Sequence, residues 1–262
     1  MKNLISKEEK DQIDLICKEY KIKNYSINPD GSIDVDGSVV FTGLSLNALP
    51  LKFVKVSGDF YCDGNKLITL KGSPHTVGGI FNCNDNKLTS LVAGPVTVSK
   101  DYYCYINELT SLEGSPIKVS GDFSCSYNEL TSLEGSPSEI GGNFNCSLNK
   151  LTSLEGSPSE IGGDFYCNTN KLSSLEGSPV VIGGDFSCLK NKMITTYSGN
   201  TDIELGGKLR CDGQLFKLFI DNIDNIKIIL KYQRHFEIWD DNLSLNDENY
   251  QTLLDEIKDG LE

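Results

Sequence analysis

Gly121-Asp122-Phe123-Ser124-Cys125-Ser126-Tyr127-Asn128-Glu129-Leu130-Thr131-Ser132-Leu133 decides the fold, because its letters keep returning along the chain. Its cysteine has counterparts at Cys62, Cys83, Cys104, Cys146, Cys167 and Cys188, spaced by a constant 21 residues. A fixed period of this length means one short coil stacked many times, each copy burying its apolar side only against its neighbours. The expected fold is a repeat solenoid.

The repeated letters sort by what a coil demands. Phe60, Phe81, Tyr102, Phe123, Phe144, Phe165 and Phe186 stand two residues before the cysteines, so in a strand they share one face with them. That face is the core. Leu67 and Leu70 and their counterparts close it from the other side, and Val56, Val77, Val98, Val119, Ile140, Ile161 and Ile182 add another apolar row. An asparagine follows each cysteine by three residues, from Asn65 to Asn191. Its amide both donates and accepts, which suits a turning backbone inside a stack. These asparagines read as structural. The remaining Gly-Ser-Pro-x-x-Ile-Gly-Gly arc is too short and too rich in glycine and proline for a helix. Each coil is therefore expected to give one strand to a long parallel sheet on one face and to return along an extended or turn-like, helix-free arc.

Working outward, Ser6-Lys7-Glu8-Glu9 has the spacing of a capping box and predicts a helix from about Lys7 to Tyr20, with Ile13, Ile16, Cys17 and Tyr20 on one face. Two short strands around Pro29-Asp30-Gly31 follow, and Phe41, Leu44, Leu46 and Leu49 fall one period before Cys62, Asn65, Leu67 and Leu70. At the far end Met193 and Thr196 replace leucines, and Cys211 comes 23 residues after Cys188, the two extra residues falling within 198–203. A helix from Phe216 to about Phe236, bearing Phe219, Ile223, Ile226 and Leu230, is expected to cover the last coil. A second begins at Asn246-Asp247-Glu248 with Tyr250, Leu253, Leu254 and Ile257 on one face. The organisation is a helical cap over 1–24, a hairpin and degenerate first coil over 25–57, the solenoid over 58–213 and a helical cap over 214–262.

The formal charge is -13, and it is uneven. Residues 58–198 hold nine basic against fifteen acidic side chains, and 199–262 seven against fourteen. That balance disfavours direct binding to nucleic acid or to an anionic membrane and keeps an apolar-cored rod in solution. No stretch approaches the ~18 apolar residues of a membrane span, and the first ten residues lack the apolar run of a secretory signal. A cytoplasmic setting is expected. The repeated cysteines read as a reduced ladder of small apolar side chains, because parallel side chains pointing the same way have poor geometry for a bridge, and a ladder does not converge on a metal.

The run Phe165-x-Cys167-x-x-Asn170-x-Leu172-x-x-Leu175 resembles the leucine-rich repeat, with alternating apolar residues followed by Asn-x-Leu. With Thr-Ser-Leu after it in most copies, it is similar to the short, 21-residue bacterial type over roughly residues 37–213. The short bacterial type includes the repeats of secreted effector proteins, from which this chain departs by Gly-Ser-Pro in place of a Leu-Pro-rich return and by an Ile or Val before Gly-Gly where the consensus has an earlier leucine. The Gly-Asp-Phe-x-Cys repeats also resemble repeat proteins of bacteria and large bacteriophages. The resemblance implies a protein-binding module acting on a host protein in a bacterial or phage-infected cell.

Function is sought where the repeats differ. The positions flanking each cysteine point outward and read Tyr61 and Asp63, Asn82 and Asn84, Tyr103 and Tyr105, Ser124 and Ser126, Asn145 and Ser147, Tyr166 and Asn168. Tyrosine, serine and asparagine are also what paratopes favour. On the same parity lie Asp101, Asp122 and Asp164, with Asp59 and Asp185, the row being broken by Ile80 and Asn143. The expected partner is a protein with a basic patch, held on the sheet face. His75 and His235 are the two histidines, far apart in sequence; no catalytic triad, phosphate loop, metal cluster or cofactor motif is recognised. The chain is read as a non-enzyme without cofactor. Two other readings follow from charge and shape: an acidic decoy that imitates nucleic acid, and a structural assembly component.

Overall fold

The computed structural model describes residues 5–173, 175–191, 203–211, 225–233, 235–238 and 246–262. It is a parallel β-solenoid whose packing separates it into two compact units, Met1–Glu129 with Gly135–Pro137, and Leu130–Glu134 with Ser138–Glu262. The dividing line falls inside the repeat array, not at its ends.

The first unit opens with helix α1, Lys7–Glu19. Ser6 Oγ accepts the Glu9 N–H at 3.2 Å while the Glu9 carboxylate accepts the Ser6 N–H at 2.7 Å, so two free amides are satisfied reciprocally. Cys17 is buried, and the Tyr20 ring meets Phe41 edge-on at 5.2 Å, so the helix covers the first coil. Strands β1 (Tyr25–Ile27) and β2 (Ile33–Val35) pair antiparallel, and Gly31 takes a φ of 78° in the turn between them. The degenerate first coil is present: Val39 pairs with Phe60, and Phe41 is fully buried where a cysteine stands later. Leu44, at the position of the asparagine in the later coils, is by contrast 45% exposed.

Four further coils of this unit repeat one plan. Cysteine strands Phe60–Tyr61, Phe81–Asn82, Tyr102–Tyr103 and Phe123–Ser124 lie parallel and in register. The aromatic rings form a column, with Phe60 on Phe81 at 5.8 Å and Tyr102 on Phe123 at 5.4 Å. The arc holds more order than expected. Two residues after the arc proline, the dipeptides Thr76–Val77, Thr97–Val98 and Lys118–Val119 form a second parallel row continuing from Phe53–Val56, since a β-branched residue in an extended, stacked segment finds ladder partners on both sides.

The asparagines act as read. Asn86 Oδ1 accepts the Leu67 N–H of the preceding coil at 2.9 Å, and its Nδ2 donates to the Cys62 and Cys83 carbonyls at 3.0 and 3.1 Å. The residue before each asparagine lies in the left-handed region, from Gly64 (φ 65°) through Asp85, Ile106 and Tyr127.

The second unit repeats the plan with Phe144–Asn145, Phe165–Tyr166, Phe186–Cys188 and Leu209–Cys211 as cysteine strands and Glu139–Ile140, Glu160–Ile161, Val181–Ile182 and Glu204–Leu205 as arc strands. The repeated phenylalanines and cysteines from Phe60 to Cys188, and the ladder leucines from Leu67 to Leu175, are fully buried in both units. Helix α2, Ile226–Tyr232, lies on the last arc: Leu230 carbonyl accepts the Ile203 N–H at 2.9 Å, and Lys227 Nζ donates to the Gly206 carbonyl at 2.7 Å. Helix α3, Asp247–Lys258, packs on α2 through Tyr250, Leu253 and Leu254 and is capped by Asn246, whose side chain accepts the Asn249 N–H at 3.1 Å. The expected Phe216 start, with Phe219 and Ile223, lies outside the described residues, as do Met193, Thr196 and the inserted segment up to Asp202. Among the described residues no helix is long and apolar enough to cross a membrane.

Candidate functional site

In the first unit, parallel registration brings Tyr61, Asn82, Tyr103 and Ser124 into one row. Asp63, Asn84, Tyr105 and Ser126 occupy the position on the other side of each cysteine. Tyr61, Tyr103 and Tyr105 are partly exposed, and the Tyr103 and Tyr105 rings meet edge-on at 6.3 Å. In the second unit Asn145, Tyr166 and Ser187 form the equivalent row, with Asn168 beyond Cys167.

Several expected surface positions are instead spent on stacking. Ser126 and Ser147 are each only 7% exposed, so neither is open surface. Ser147 Oγ accepts the Asn168 N–H at 3.1 Å, and Asn168 Oδ1 in turn accepts from Ser187 Oγ and the Leu189 N–H, both at 2.7 Å. Asn82 and Asn145 fold their Oδ1 onto the amides of Asn84 and Ser147 at 3.1 and 3.0 Å. Asp63 accepts from Thr42 at 2.9 Å. Asn84 Oδ1 is buried without a partner, and Ser124 lies 3.3 Å from Ser126, hydroxyl to hydroxyl.

The aspartate row is a clamp between coils. Asp59 Oδ1 accepts the Ile80 N–H at 2.8 Å, Asp101 Oδ1 the Asp122 N–H at 2.9 Å, Asp164 Oδ1 the Asp185 N–H at 2.7 Å, and Asp185 Oδ1 the Lys208 N–H at 2.8 Å. Asn143, a break in the row by residue type, does the same for the Asp164 N–H at 2.7 Å. A signal for this role stood in the sequence. A Cβ at Gly79, Gly121, Gly163, Gly184 or Gly207 would overlap the Oδ1 of Asp59, Asp101, Asn143, Asp164 or Asp185, so a glycine is needed above each of these clamps. Where Ile80 replaces the aspartate, Lys100 replaces the glycine.

The tyrosines complete this arrangement. Tyr166 Oη donates to Asp164 Oδ2 at 2.5 Å, and Tyr61 and Tyr103 face Asp59 and Asp101 in the same Asp-x-Tyr spacing. Burial, with the charge of Asp101 beside it, pushes the Tyr103 hydroxyl up to about 12. Its hydrogen bond to Asp164, then burial, pushes Tyr166 to about 12. Both rings are neutral at physiological pH, amphipathic, and held by a carboxylate. Asp185, where no tyrosine follows, is paired with Arg210 at 2.8 Å, and the Lys208 amide and this guanidinium hold its carboxyl below the usual range.

Among the described residues no group of three or more His, Cys, Asp or Glu side chains is placed to hold a metal ion. Cys17 and the seven repeat cysteines from Cys62 to Cys188 are buried free thiols, and burial raises those of Cys17, Cys62, Cys83, Cys104 and Cys125, which disfavours the reactive thiolate. No protein-family model, no curated protein and no solved structure matches the chain.

Proposed function

We propose that this protein is a non-catalytic binding module whose first-unit sheet face, built on Tyr61, Tyr103 and Tyr105, docks a protein partner. One observation carries the reading. On a face where serines, asparagines and aspartates are largely taken up by burial or by hydrogen bonds within and between coils, the tyrosines remain as large, partly exposed and pre-oriented side chains. Rigid aromatic anchors of this kind supply contact area at low entropic cost. Asp59, Asp63 and Asp101 lie beside them, so a basic patch on the partner suits the surface. The setting is the cytosol of a bacterial or phage-infected cell, which rests on the resemblance of the repeats and accords with buried free thiols. The nucleic-acid decoy gains less support, because Asp59, Asp101, Asp164 and Asp185 each have an oxygen occupied by a backbone amide.

The test is affinity capture with a Tyr61→Ala/Tyr103→Ala/Tyr105→Ala variant beside wild type and a fold-matched control altered on the arcs, Val92→Glu. Loss of one specific partner with the tyrosine variant alone is the expected result. Equal recovery by all three proteins sinks the assignment.

A further inference from the structure

The return arcs of the two units differ in chemistry. In the first unit, residues 50–57, 71–79, 92–100 and 113–121 carry Lys52, Lys55, Lys71, Lys100 and Lys118 against one acid, Glu113. In the second, residues 138–142, 155–163 and 176–184 carry Glu139, Glu155, Glu160 and Glu176 and no lysine, arginine or histidine. All of these charged side chains are exposed. Lys52 is also held by Asp30 at 2.8 Å.

The basic arcs are also apolar. Val54, Val92, Val96 and Ile117 are 39%, 52%, 49% and 70% exposed. Three of them, with Phe53, Ser73 and His75, line a depression of about 510 Å³. Stacking does not require this, since the arc positions of Val92 and Val96 hold Glu155 and Ser159 in the second unit without loss of the fold. Valine in place of glutamate removes charge from water-facing positions and leaves apolar area uncovered.

We infer that this protein associates with a second copy of itself, the lysine and valine arcs of the first unit of one molecule meeting the glutamate arcs of the second unit of another. A second copy is favoured as occupant because the complementary charge is present on the same chain. Lys55 and Lys118 also occupy the arc position that Glu139 and Glu160 hold in the second unit, so the two kinds of arc present opposite charge at the same place in the coil. Val180, 44% exposed on a glutamate arc, supplies an apolar side chain for the depression. Opposed charges disfavour wrong pairings, while the valines contribute desolvated area. This face is distinct from the tyrosine face, so its failure would leave the proposed docking site untouched.

Sedimentation velocity over a concentration series tests it on the full chain. Wild type is expected to form species larger than the monomer as concentration rises. Val92→Glu/Val96→Ser, which installs residues the other coils already carry, should raise the dissociation constant about tenfold or more. Lys55→Glu/Lys71→Glu and Glu155→Lys/Glu160→Lys should each weaken self-association alone, and an equimolar mixture of the two should restore it. A wild-type chain that stays monomeric throughout, as it would if a different acidic protein were the occupant, overturns the inference. So does association that survives all three variants unchanged.

Discussion

Tyr102 is the one member of the aromatic column with a hydroxyl, and that oxygen is buried without a partner. Gly94 makes room for it. Where other arcs carry Ser73, Ser115 or Ser157, a Cβ at Gly94 would stand 3.3 Å from Tyr102 Oη and 2.9 Å from Leu70 Cδ1. An unsatisfied buried hydroxyl is a cost, so Tyr102→Phe should stabilise the protein by about 1 kcal/mol in urea unfolding. Gly94→Ser should destabilise the parent more than it destabilises the Tyr102→Phe variant, and a double-mutant cycle without coupling would refute the pairing. Tyr103 makes a second prediction at this scale. Its pKa is raised by folding, so the protonated ring favours the folded state. That contribution is complete below the ordinary tyrosine value near 10 and is lost as pH rises through about 12. Ultraviolet titration should show Tyr103 among the late-ionising tyrosines, a component absent from Tyr103→Phe; titration of every tyrosine near 10 would contradict the Asp101 contact.

At the scale of one coil, stability rests on contacts between residues about one period apart, because each coil pairs only with its neighbours. Asp101 and Gly121 are such a pair. Gly121→Ala alone should be strongly destabilising, by about 2 kcal/mol or more, since the new methyl meets a carboxylate already held by the Asp122 amide. Replacing both, Asp101→Ile with Gly121→Lys, copies the Ile80 and Lys100 pair and should recover most of that loss. Additive effects of the two changes, measured by denaturant midpoint, would show that clamp and glycine are unrelated. This coupling marks where sequence reading stopped. Period and alternation reveal Phe60, Cys62, Asn65, Leu67 and Leu70 as scaffold, since those roles depend on the residue's own place in the coil. The clamp role of Asp59 depends on which amide of the next coil lies above it, a distance that spacing alone does not contain, and only the joint change at Ile80 and Lys100 records it. Burial of Ser126 and Ser147 depends likewise on how the coils stack, which period and alternation do not contain. The second strand row was legible only as an extended arc, because the glycine and proline turn residues around short strands such as Thr76–Val77 read as loop.

Taken as a whole molecule, the chain combines a core that is nearly the same in every coil with surfaces that are not. The core accounts for the phenylalanines, cysteines, asparagines and leucines, so selection for binding has freedom only at the outward letters and the arcs. On the sheet face that freedom has been narrowed by hydrogen bonding to Tyr61, Tyr103 and Tyr105 in the first unit and Tyr166 in the second. The most direct measurement of this claim is side-chain footprinting by tyrosine-selective labelling, read by mass spectrometry on the protein alone and in the complex it captures. Binding through the sheet face predicts that Tyr61, Tyr103 and Tyr105 lose labelling in the complex while Tyr20 and Tyr232, near the two capped ends, keep theirs. Labelling of Tyr61, Tyr103 and Tyr105 that is the same with and without partner would contradict it.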